Sequence, residues 1–214
     1  IVLKLNYQRN TLYNAVWILD RILSKVSVSS EDLQLTSIVC LWMTAKVEAI
    51  SSMSSIQEFL TICNNRFTSD QFRKKELQVF QLIDGRLNYP TSQLFLHPLL
   101  NGIECESYNQ KVQFFLDMSL MEYELISYPS PLVTVGAIAT VLGDRCPLLR
   151  LFSLISTDMT SDVLEIIRKI TDITCYTLEN KNTAMYTVFD EEWLQEMKEI
   201  AQKSLQYFIN YFNE

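Results

Sequence analysis

Residues 38–43 read Ile-Val-Cys-Leu-Trp-Met, six apolar side chains in a row. Ahead of them Ser29 and Ser30 can cap a helix, with Glu31 and Asp32 in its first turn. A helix that is apolar on all sides cannot rest on a surface, because neighbours must cover it all round. This run therefore demands a bundle of helices around a central rod. Composition agrees: four glycines and five prolines in 214 residues are too few to supply the turns of a hairpin-rich sheet. The apolar content of 48% is enough for a real core and rules out a disordered chain.

The rest of the chain reads as helices. Residues 10–25 repeat Leu12, Ala15, Val16, Leu19, Ile22 and Leu23, an amphipathic stripe. After a serine loop around Met53, two capping boxes follow, Ser55 with Glu58 and Thr68 with Gln71. The first opens a short helix to about Ile62. The second opens a long one through Phe72, Leu77, Val79, Phe80, Leu82 and Ile83, expected to stop near Gly85. Residues 91–100 predict a short helix kinked or ended by Pro98. Residues 110–126 predict one long helix, and residues 130–142 a second buried rod stopped by Gly143 and Asp144. Helices over 147–155, 161–176 and 191–212 follow, with 179–183 a polar loop. The pattern of residues 33–46 can be laid over 132–145, which points to two similar five-helix units joined near residues 88–91. The expected fold class is all-α, with domains at 1–89 and 90–214.

Much chemistry is excluded by inventory. A net charge of −7 disfavours a nonspecific grip on nucleic acid, and no apolar run approaches the ~20 residues that span a bilayer. The chain opens on Ile without a leader pattern, so it reads as a piece of a longer protein. Cysteines 40, 63, 105, 146 and 175 show no metal spacing and suit reduced thiols inside a cell. The four glycines are scattered and build no phosphate loop, and His97, the single histidine, precedes Pro98 with no obvious partner. Carboxylate neighbours such as Glu122 and Glu124 point to different helix faces. No enzyme, metal or cofactor is expected.

Two charges are unusual in position. Lys46 follows the most apolar stretch, with Glu48 two residues on. A cation there can simply snorkel at the negative end of a buried helix, or it can border apolar surface at a protein interface. Glu76 lies on a helix whose other face is core, close to Phe80. If Lys46 and Glu76 are neighbours, they offer a donor and an acceptor to an incoming backbone segment.

These residues carry a resemblance. Thr11-Leu12-Tyr13 and Leu19-Asp20-Arg21-Ile22-Leu23-Ser24 resemble the second helix of the cyclin box. Leu33-Gln34-Leu35 and Cys40 through Glu48 resemble its third, a buried run ending in Ala-Lys-aromatic-Glu. Residues 59–62 resemble the fourth helix, and Lys75-Glu76 through Leu87, Pro90, Thr91 and Phe95 the fifth and the junction to a second box. The match runs from residue 11 to about 96. Residues 97–214 resemble the second box in helix order only. The Cys40–Lys46 run looks more like fungal G1 cyclins than the mitotic B type.

The resemblance implies a cyclin fold of two five-helix repeats, each round a buried central helix. It implies a non-enzymatic regulatory subunit of the nucleus and cytoplasm that binds and activates a cyclin-dependent kinase and helps recruit substrates in cell-cycle control. Lys46 and Glu76 match the pair that hydrogen-bonds the kinase backbone, and Val47, Phe80 and Leu87 match apolar positions around it. Leu33 and Gln34 match the rim of a patch that docks short linear substrate or inhibitor motifs. The alternative is a cyclin-fold adaptor that binds peptides without activating a kinase. Departures exist: Val47 stands where an aromatic is usual, Ala49 where a second Glu is common, and Gly85 where an aromatic is usual. The first helix, which normally carries the docking patch and an Arg that pairs with Asp20, is expected to be nearly missing.

Overall fold

A computed structural model describes residues 7–48, 55–155, 160–180 and 188–213. The serine loop at Met53, Ala49, the stretch after Ile1 and most of the 179–183 loop lie outside these residues. The described residues form ten α-helices and no strand: α1 (Arg9–Leu23), α2 (Ser30–Glu48), α3 (Ile56–Ile62), α4 (Ser69–Leu82), α5 (Ser92–Gly102), α6 (Asn109–Ser119), α7 (Ser130–Leu142), α8 (Leu148–Ile155), α9 (Thr160–Glu179) and α10 (Glu191–Asn213). The chain divides into two compact units, residues 1–91 and 92–214.

In the first unit α2 is the rod. Every residue from Ile38 to Ala45 is buried. Ser29 caps the helix, its Oγ accepting from the Asp32 amide at 3.2 Å. α1 packs against α2 through Ala15, Ile18 and Ile22, and α4 packs against it through Phe72 and Val79. The Trp42 ring meets Phe59 of α3 and Phe72 of α4 edge-on, with centroids 5.3 and 5.9 Å away. Both capping boxes form as the sequence indicated, at Ser55 with Glu58 and Thr68 with Gln71. α4 ends with Asp84 and Gly85 at positive φ, so Gly85 serves the turn.

In the second unit α7 is the rod, with all eleven residues Leu132–Leu142 buried. It packs against α5, α6, α8, α9 and α10. The crossing with α9 is close because Gly136 carries no side chain: a Cβ there would lie 2.3 Å from Ile166 Cγ2.

Two expectations are corrected. The helix expected over 110–126 stops at Ser119, and a separate 3-10 turn covers Tyr123–Ser127, opened by Glu122 accepting from the Glu124 amide at 3.1 Å. Pro98 does not end α5; the helix continues to Gly102, held by Leu96, Leu99 and Leu100 in the core. On α4, Leu77 and Phe80 stand 59% and 45% exposed, outside the core that holds Phe72 and Val79.

Candidate functional site

The last turn of α2 brings a cation to the edge of the apolar rod. Lys46 lies one turn beyond Trp42 on the same face, and its Nζ sits 5.5 Å from the Trp42 ring centroid. α4 crosses here in a fixed register. Lys75 reaches Asp32 at the start of α2 with Nζ 2.6 Å from Oδ2. The next residue, Glu76, takes the Trp42 indole N–H on Oε1 at 3.2 Å and forms an ion pair with Lys46 on the same oxygen. Thus Lys46 and Glu76, 30 residues apart in sequence, are neighbours. Their side chains are 37% and 21% exposed, so water screens the pair and it contributes only about 0–1 kcal/mol. The indole bond differs: Trp42 is 4% exposed, and its N–H needs an acceptor.

The pair borders a depression of about 270 Å³ lined by Met43, Lys46, Arg73, Glu76, Leu77, Phe80 and Leu87. Its α4 wall is Arg73, Glu76, Leu77 and Phe80, spaced i, i+3, i+4, i+7. This second stripe lies about a quarter-turn round α4 from Phe72 and Val79. The Phe80 ring lies over Gly85, where a Cβ would come within 3.1 Å of Cζ. Exposed apolar side chains beside a fixed charge pair are what a protein interface needs at its centre.

Of the residues singled out in the sequence, Lys46, Glu76, Phe80 and Leu87 share this depression. Val47 is not part of its lining but is 51% exposed, next to Lys46. Leu33 and Gln34 are exposed near the opposite end of α2, about 20 Å along the axis at ~1.5 Å per residue. Gln34 Oε1 there accepts from Arg66 Nη1 at 3.1 Å. Met43, Arg73 and Leu77 were missed in the sequence; the signal that could have found the last two is the spacing of the outer stripe.

Other groups offer little chemistry. His97 is exposed. Burial raises the Cys40 thiol to about 12 and the Asp20 carboxyl to about 6. Among the described residues no group of three or more His, Cys, Asp or Glu side chains could hold a metal ion, and no helix is long and apolar enough to cross a membrane.

Comparison with known proteins bears on this site directly. Residues 1–88, which contain the whole Lys46–Glu76 arrangement, match the family model for the cyclin N-terminal domain. Residues 1–88 belong to the cyclin N-terminal domain family. It is 28% identical over 138 residues to G2/mitotic-specific cyclin-2 of Medicago sativa, covering 64% of this chain and 42% of that one. It is 29% identical over 135 residues to cyclin-A1-2 of Oryza sativa subsp. japonica, covering 60% of this chain and 28% of that one. Cyclin-B2-1 of the same rice is 26% identical over 148 residues, covering 69% and 34%. The chain thus spans less than half the length of these curated relatives. Their names are mitotic, A-type and B-type, and the G1-type likeness of the Cys40–Lys46 run is not needed to place the family. The X-ray structure of a viral cyclin from herpesvirus saimiri superposes with a TM-score of 0.70 over 80% of this chain and 78% of that one, at 15% identity. The all-α cyclin fold expected from the sequence is therefore the fold observed.

Proposed function

We propose that this cyclin is a regulatory subunit that binds a cyclin-dependent protein kinase through the Lys46–Glu76 face and activates it in cell-cycle control. The observation that carries the reading is the depression itself: a donor–acceptor pair set among Met43, Leu77, Phe80 and Leu87 on a cyclin N-terminal domain. Both bonds to Glu76 fall on Oε1, and among the described residues Oε2 takes none. Lys46 keeps N–H donors beyond the one given to Glu76. A peptide group arriving here finds an acceptor for its N–H and a donor for its C=O, and the pair sets its register while apolar contacts with Phe80, Leu87 and Val47 supply burial.

The chemistry stays with the kinase. Phosphoryl transfer requires the kinase's Lys–Glu ion pair and its metal-binding Asp to be in place. A partner that binds only that arrangement shifts the kinase toward it by its differential affinity. In this reading residues 1–89 are the first cyclin box and 90–214 the second. Leu33 and Gln34, exposed far from the kinase face, are the rim of a site for short linear substrate or inhibitor motifs, and the protein works in nucleus and cytoplasm alongside its kinase.

The test is co-purification with a cyclin-dependent kinase, together with stimulation of that kinase's activity by the purified chain. Recovery of a kinase with no stimulation would sink activation. Recovery of a linear peptide ligand with no kinase would favour the adaptor role instead.

A further inference from the structure

The last helical residue of α2 has a role separate from the Lys46–Glu76 pair. Glu48 points away from the depression and into a polar junction. Its Oε1 accepts from Asn10 Nδ2 at 2.6 Å and from Asn14 Nδ2 at 3.0 Å, and its Oε2 accepts from the Thr11 hydroxyl. All three donors lie in the first two turns of α1, where a carboxylate also meets the positive end of the helix dipole. Thr11 and Asn14 are buried at 1% and 2% exposure.

The donors are themselves held. Asn14 Oδ1 accepts from the Tyr89 amide at 3.1 Å, and Asn10 Oδ1 accepts from the Thr91 hydroxyl at 3.0 Å. One turn back along α2, the Thr44 hydroxyl reaches the Thr11 carbonyl at 3.2 Å. A single carboxylate thereby ties three segments of the first unit: the end of α2, the start of α1 and residues 89–91. Each side-chain amide uses both its ends, which fixes its orientation and leaves little slack in the network.

We propose that Glu48 is a positioning residue for kinase binding: by clamping the end of α2 to α1 and to residues 89–91, it holds Lys46 and Val47 in the geometry the partner meets. This rests on the kinase reading of the face. Lys46 and Val47 immediately precede Glu48, in the last described turn of α2. Without Glu48, the Lys46 ammonium would still reach Glu76, but from an ensemble of backbone positions. Ordering that ensemble on binding costs affinity.

The experiment measures kinase affinity for the wild-type chain and for Glu48→Ala, Glu48→Gln and Ile18→Val, at a temperature where all are folded. Amide hydrogen exchange is followed at Tyr89 and residues 44–48. Ile18→Val removes one buried methyl of α1 and serves as a control for lost stability alone. The expected result is about tenfold weaker binding for Glu48→Ala, with faster exchange at Tyr89 and 44–48. Glu48→Gln keeps an acceptor oxygen and recovers part of the affinity. Ile18→Val binds as wild type. Wild-type affinity in Glu48→Ala overturns the positioning role, as does equal weakening in Ile18→Val. If the wild-type chain binds no kinase while Glu48→Ala still loosens exchange, the reading of the face falls, and the kinase-positioning role falls with it.

Discussion

Substitution of Glu76 separates its two roles, as ion-pair partner of Lys46 and as acceptor for the Trp42 indole. Replacing it with Ala removes the Lys46 ion pair and also, among the described residues, the only acceptor for the Trp42 indole N–H. The ion pair is partly exposed, and losing it costs about 0–1 kcal/mol. The indole N–H is enclosed with a side chain that is 4% exposed, and leaving such a donor unpaired costs about 1–3 kcal/mol. The sum, about 2 kcal/mol, corresponds to roughly 4–8 °C in a chain of this size at ~2–4 °C per kcal/mol. Glu76→Gln keeps a carbonyl oxygen for the indole and loses only the charge, so its Tm should fall by less than about 4 °C. Thermal unfolding followed by near-UV circular dichroism, to which Trp42 contributes along with Trp17 and Trp193, makes the comparison. Equal Tm values for Glu76→Ala and Glu76→Gln would refute the claim that Trp42 depends on this oxygen. The consequence for function is practical: Glu76→Gln, rather than Ala or a charge reversal, is the variant that probes binding without disturbing the rod.

Two further outcomes are expected. Gly136→Ala forces α7 from α9, because the new Cβ would meet Ile166 Cγ2 at 2.3 Å; overpacking of about 1–3 kcal/mol should exceed the ~1 kcal/mol gained in helix propensity. Adding Ile166→Leu removes that branch and should restore part of the lost Tm, whereas a Gly136→Ala protein as stable as wild type would contradict the close crossing. Burial raises Asp20 from 3.8 to about 6, so the folded state holds this proton more tightly than the unfolded chain and stability from this group falls as pH rises from about 4 to 6. Asp20→Asn should therefore raise Tm at pH 7 and give no gain below about pH 4; an unchanged difference across that range would exclude Asp20 as its source.

The parts of the fold legible in the sequence were those set by local physics. The rod at Ile38–Met43 shows itself because no surface can accept it, and the caps at Ser29, Ser55 and Thr68 follow from side chains three residues from their targets. The break after α6 was not legible, since Val112, Phe115, Leu116, Ser119, Leu120 and Tyr123 keep helical spacing straight through it. Spacing alone could not separate the outer stripe of α4 from its core stripe, because Leu77 and Phe80 repeat at helical spacing just as a core stripe does; only the placement of α2 tells the two faces apart. At the site, residue type singled out Lys46 and Glu76, but their contact spans 30 residues and depends on the crossing that Lys75 and Asp32 hold in register. The Glu48 junction joins positions 34 to 38 residues apart and gave no sign in spacing.

The central claim is that the Lys46–Glu76 face binds a cyclin-dependent kinase. The most direct measurement is the Kd of a purified kinase for the wild-type chain and for the Lys46→Glu, Glu76→Gln double variant, with circular dichroism verifying unchanged helix content. The account predicts that the variant's affinity falls at least about a hundredfold, as expected when charged hydrogen-bonding groups at an interface centre are lost. A double variant that binds and activates the kinase like the wild-type chain would contradict it.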